Sequence, residues 1–226
     1  LKFIVTSRVY RQSSRVTAEL AEKDPRNRLL ARGPRLRLSA EMVRDQALAV
    51  SGLLDRKMFG PSVRPPQPAL GNNAAFGGST DWKTSAGGDK YRRGLYTKWR
   101  RTSPYPSMVT FDAPSREFCT IRRISTNTPL QALTLLNDPV FFECARAFGA
   151  RIVREGGGSL EDRLRYAFRL CLCREPGAGE LKSLQALYRK LRKFCEANPQ
   201  GAEKMLGRFS VEGVSAGELA GWISFS

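Results

Sequence analysis

The sequence predicts a mainly α fold: a helical bundle with a long irregular insertion rich in proline and glycine, and a short extended element near residues 91–101. Three observations lead there. Apolar residues recur at three- and four-residue spacing through the second half of the chain, where helix-start signatures punctuate the pattern. Residues 55–90 keep no period at all. The segment YRRGLYTKWRRT alternates instead, Leu95, Thr97 and Trp99 against Tyr96, Lys98 and Arg100.

Each element follows from its own residues. Leu1, Ile4, Val5 and Val9 read as the tail of an amphipathic helix over residues 1–13, and Pro25 and Gly33-Pro34 break the polar link that follows. Ser39 is an N-cap for AEMVRDQALAVSGLL, with Met42, Ala49 and Leu53 on one face and Arg44 and Gln46 turned away. In the insertion Pro65, Pro66 and Pro68 favour an extended chain, and a glycine- and asparagine-rich part follows. Residues 103–117 read as irregular, partly buried through Met108, Val109 and Phe111.

Thr128-Pro129 and Asp138-Pro139 repeat one device, a capping side chain followed by proline at the first helical position. Phe141, Ala145, Phe148 and Ile152 line one face of the second helix so started, and Gly156, Gly157 and Gly158 end it. Ser159 caps the next, whose stripe is Leu160, Leu164, Phe168 and Cys171. After Pro176-Gly177, residues Leu181, Leu184, Tyr188, Leu191 and Cys195 form a near-heptad seam, and two short helical pieces close the sequence. Residues 1–176 and 177–226 read as parts of one domain; the chain starts at Leu1 inside an apolar pattern and stops where a longer closing helix is expected, so it reads as a piece of a longer polypeptide.

Composition narrows the chemistry. Lysine plus arginine number 38 against 21 acidic residues, a formal charge of +17, which favours polyanions: nucleic acid, an acidic membrane surface, or sulfated or uronate-rich polysaccharide. With no histidine, the commonest general base and metal ligand are missing, and the five cysteines contain no C-x-x-C, so no metal site or c-type haem attachment is expected within these residues. Cys144 and Cys195 fall at core positions of helical patterns, as buried free thiols do. No apolar run approaches the length of a membrane span.

The densest chemistry lies in DAPSREFCTIRRISTNTPLQALTLLND, residues 112–138. Asp112 and Glu117 are the candidate acid–base pair, with Asp138 as a further carboxylate. Arg92, Arg93, Arg116, Arg122 and Arg123, with Asn127 and Thr128 at a helix start, are candidates for holding a sulfate, carboxylate or phosphate. The same residues suit a network of ion pairs tying the extended element to the bundle. Ser115 lacks a nucleophile turn, and Cys119 lacks a local base.

VYRQSS, NRLLARGPRLRLSAEMVRDQALAVSGLL, GPSVRPPQP, residues 91–143 and RYAFRLCLCREP, in that order, resemble domain-of-unknown-function family 1553, the PSD1 domain of planctomycete cytochrome-c-like proteins. The likeness runs from about Val5 to about Pro176, and the 69–90 loop departs from the family pattern. The resemblance implies an extracytoplasmic multidomain bacterial protein in which a c-type haem domain, outside this chain, precedes this one. It carries over no catalytic residue. Three functions stay open: an accessory domain binding acidic polysaccharide, a glycan hydrolase or lyase using Asp112 and Glu117, and, on charge alone, a nucleic-acid binder.

Overall fold

The computed structural model of the chain describes residues 1–68, 82–101 and 103–226, which fall into two compact units, Leu1–Leu38 and Ser39–Ser226. The glycine- and asparagine-rich middle of the expected insertion, residues 69–81, lies outside the described residues. The first unit holds two short helices. Helix α1 (Lys2–Thr6) buries none of its residues, and the helix expected across 1–13 continues only as turns. The second, α2 (Ala18–Lys23), falls where a polar link was expected; the Thr17 hydroxyl starts it by accepting from the Leu20 amide. Asp24 ends it, and its carboxylate accepts from the amides of Arg28 and Leu29, both at 2.8 Å.

The second unit is the helical bundle. Its helices are α3 (Ala40–Ser51), α4 (Pro106–Thr110), α5 (Pro129–Asn137), α6 (Pro139–Glu155), α7 (Leu160–Leu172), α8 (Ala178–Ala197), α9 (Pro199–Leu206) and α10 (Ala216–Phe225). Among the described residues there is no strand or sheet, only two isolated parallel bridges, Asp55 with Arg92 and Val63 with Thr97. The mainly α expectation therefore holds, with one correction. Residues 91–101 do not form a strand: Gly87–Tyr91 and Gly94–Tyr96 are 3-10 turns, and only the chain after them runs extended. The alternation fails because Leu95 points outward while Arg92, on the polar side of the pattern, is buried.

Helix α6 is the axis of the bundle. Its Phe148, Ile152 and Val153 share one core with Leu164 and Ala167 of α7, Leu181 and Tyr188 of α8, and Leu219, Trp222 and Ile223 of α10. The α8 seam read from the sequence is the buried one, and residues after 177 complete the core begun by α6 and α7. Tyr188 stacks on Trp222 with ring centroids 4.0 Å apart, and Arg163 of α7 reaches Glu218 of α10 at 2.9 Å. Glycine allows a close crossing of α6 and α10: a Cβ on Gly149 of α6 would lie 2.9 Å from the backbone nitrogen of Ile223.

Each predicted cap is in use. Ser39, Ser159 and Asp138 accept from the amides of Met42, Asp162 and Val140. The two short helical pieces near the end are α9 and α10. On α3 the face is rotated from the expected one: Ala40, Arg44, Leu48 and Ser51 are buried, whereas Met42 is more than half exposed. Arg44 turns inward because a carbonyl waits there, its Nη2 donating to Lys90 at 2.7 Å. The segment expected to be irregular around Met108 contains α4, and Val109 faces solvent.

The described flanks of the insertion are clamped together. Arg64 and Ser85 exchange two hydrogen bonds of 2.9 Å, and Trp82 donates to the Pro65 carbonyl while stacking on Tyr105. Tyr105, fully buried, donates its own hydroxyl to the Pro66 carbonyl at 2.6 Å. All five cysteines are free, Cys144 and Cys195 buried as expected.

Candidate functional site

Two acids on one face of α3 organise much of the arginine cluster. Glu41 and Asp45 are four residues apart, hence one turn apart on the same face. Arg123 makes a two-pronged pair with Glu41, at 2.6 and 3.0 Å, and this pairing holds the Glu41 carboxyl below its ordinary value. Asp45 accepts from Arg93 at 3.1 Å and from the Gly94 amide at 2.5 Å. Gly94 can sit there because a Cβ would meet the Glu41 backbone at 2.9 Å. The expected ion pairs between this segment and the bundle therefore exist, on α3.

The other arginines are placed differently. Arg92 is only 1% exposed; its guanidinium donates to the carbonyls of Phe59, Pro61 and Lys57 and lies over the Tyr96 ring. It gathers the 57–61 turn and presents no face to a ligand. Arg116, at a φ of 64°, places its guanidinium 5.5 Å from the centre of the Trp99 ring, and Trp99 donates to the Ser115 carbonyl. Arg122 is exposed and has no hydrogen-bond or ion-pair partner among the described residues. Asn127 and Thr128 are exposed at the start of α5, where the Gln131 side chain accepts from the Thr128 amide.

The two candidate acid–base residues have unlike surroundings. Asp112, at a φ of 63°, accepts from the Thr126 amide at 2.7 Å and from the Thr126 hydroxyl at 2.8 Å. Buried Gln131 joins them, donating to the Thr110 carbonyl and to Asp112. Together they clasp the irregular 112–128 segment to the first turn of α5. Glu117 is exposed, and its carboxylate has no partner among the described residues. Asp138 is buried, ending α5 and capping α6, and burial raises its carboxyl above the ordinary aspartate value.

Two groupings escape sequence reasoning. Glu143 of α6 collects the Tyr91 hydroxyl and Arg208, each at 2.7 Å, and Lys90 at 3.5 Å, from segments far apart along the chain. A cavity of about 510 Å3 also opens between the C-terminal end of α3 and the second half of α6, with Arg56, Arg151, Arg154 and Phe209 among its walls. The one sequence signal for it is the close spacing of Arg151, Arg154 and Glu155. Among the described residues no group of three or more histidine, cysteine, aspartate or glutamate side chains could hold a metal ion, and no helix is long and apolar enough to cross a membrane.

No curated protein and no solved structure matches the chain. A family model does, over residues 1–188, which takes in both units up to the middle of α8. The match covers most of the chain, including the α3 acids, the Asp112 clasp and the two proline-started helices: the chain belongs to the PSD1 family, described as a protein of unknown function (DUF1553).

Proposed function

We propose that this chain is a binding module for acidic polysaccharide, accessory to a c-type haem domain elsewhere in an exported multidomain bacterial protein. The observation that carries the reading is the charge left over after pairing. Three of the acids near the cluster are committed, Glu41 to Arg123, Asp45 to Arg93 and Asp112 to Thr126; Arg122 and the acid Glu117 stay exposed without a partner among the described residues, so the surplus comes from the arginines of the wider surface. With a net charge of +17, such a surface attracts polyanions, and exposed arginines bind carboxylate or sulfate with two parallel hydrogen bonds.

Binding is favoured over hydrolysis by the state of Asp112. A general acid or base needs an oxygen within reach of the substrate proton, and both Asp112 oxygens accept from Thr126. The test is a binding screen of the full chain at two salt concentrations against sulfated, uronate and neutral glycans and duplex DNA. The expected result is salt-sensitive binding to an acidic glycan, weakened in a folded Arg122→Ala/Arg123→Ala variant. Equal binding of every polyanion by parent and variant would overturn the reading, as would turnover of a glycan that Asp112→Asn abolishes.

A further inference from the structure

We propose that the cavity between α3 and α6 seats one anionic sugar unit, a carboxylated or sulfated pyranose. The inference rests on the polysaccharide reading and adds where on the molecule a charged unit is held. Its volume, about 510 Å3, lies within the range of small-molecule pockets.

Charge and wall chemistry both point to such a ligand. Four ionised side chains line the cavity: Arg56, Arg151, Arg154 and Glu155. Arg151 and Glu155 neutralise each other at 2.9 Å, and the Tyr166 hydroxyl also donates to Glu155. Arg151 is further occupied with the carbonyls of Ala49 and Val50 at the end of α3. Three arginines against one glutamate leave the lining side chains with two positive charges in excess, although Glu155 also feels Arg154. Arg154 uses one N–H on the Ser210 carbonyl and retains others, and Arg56 has no partner among the described residues. A guanidinium carries five donors in a planar fork, so the pair can grip a carboxylate or sulfate while its spare N–H groups meet hydroxyls. Leu53, Leu54 and Phe209 make the apolar wall against which the C–H face of a pyranose ring packs.

The test is calorimetric titration of the full chain with digalacturonate, a sulfated galactose disaccharide, neutral galactobiose and AMP. Digalacturonate or the sulfated disaccharide should bind, and galactobiose and AMP should not. Arg56→Ala, which removes no hydrogen bond or ion pair among the described residues, should weaken binding by about threefold or more, and Arg56→Ala/Arg154→Gln by at least about tenfold, with circular dichroism unchanged. The loss caused by Arg56→Ala/Arg154→Gln should be of the same size in an Arg122→Ala/Arg123→Ala background. If an acidic disaccharide binds and only the Arg122/Arg123 variant loses it, the cavity assignment falls and the polysaccharide reading stands. If neither acidic disaccharide nor any acidic polymer binds, both fall. Equal binding of AMP and the acidic sugars would overturn the assignment to a sugar.

Discussion

Asp112 adopts a left-handed backbone conformation and uses its carboxylate to fasten Thr126, so its role can be separated from catalysis by two substitutions. Asp112→Ala removes the acceptor and places a residue that resists positive φ there, and should destabilise the fold by about 2 kcal/mol. Asp112→Asn keeps an acceptor and tolerates that backbone, and should lose clearly less; urea unfolding measures both. Asp138 makes a prediction about pH. Burial raises its folded-state carboxyl, so its contribution to stability is present below the unfolded aspartate value of 3.8 and is lost as pH rises through the folded value. Asparagine caps a helix as well as aspartate and carries no charge. The stability of Asp138→Asn relative to the parent should therefore increase from pH 3.5 towards neutrality, and denaturant midpoints across that range would show a flat difference if the account were wrong. At this scale the caps were legible, because Ser39, Thr128, Asp138 and Ser159 act through neighbours two or three residues away. Arg44 and Arg92 were not, since the carbonyls that draw them inward come from distant turns.

Among the elements, α6 sets the arrangement of the bundle, and its crossing with α10 depends on Gly149. Alanine there would ordinarily strengthen a helix, by about 1 kcal/mol. Here its Cβ would press on the Ile223 backbone, so Gly149→Ala should instead destabilise the protein, by about 1–3 kcal/mol in thermal or urea unfolding. The start of α8 offers a second check. Arg174 grips Glu180, which also accepts from the Gly177 amide, and the Glu180 carboxyl is pulled down to about 2. Because its folded value is depressed, its support for the helix start is present above the unfolded glutamate value of 4.5 and is lost as pH falls towards 2. A carboxyl titration of Glu180 by NMR should find its midpoint well below those of exposed glutamates, and Arg174→Ala should raise it, with the Gly177 amide still holding it below the ordinary value. Helices whose apolar stripes repeat cleanly, α6 to α8, could be read from the residues alone. The 91–101 segment could not: Leu95, on its apolar side, faces solvent, while Arg92 on the polar side is buried against the Tyr96 ring.

Excess positive charge runs through both units, and Ser39–Ser226 packs a core around α6; these two facts were legible at different depths. Charge and helical class follow from composition and spacing. The cavity beside α3 does not, since its walls come from segments far apart along the chain, Arg56 after α3 and Phe209 after α9. Long-range charge attraction weakens with salt, so the affinity for an acidic polymer should fall steeply as ionic strength rises, and a neutral polymer of the same backbone should show no such slope. The most direct measurement compares polygalacturonate with the same polymer after its carboxyl groups are reduced to alcohols, titrated against the full chain at several salt concentrations. The acidic polymer should bind, with affinity declining as salt increases, and the reduced polymer should not. Equal binding of the two polymers, or an affinity for the acidic one that salt does not change, would contradict the polysaccharide reading.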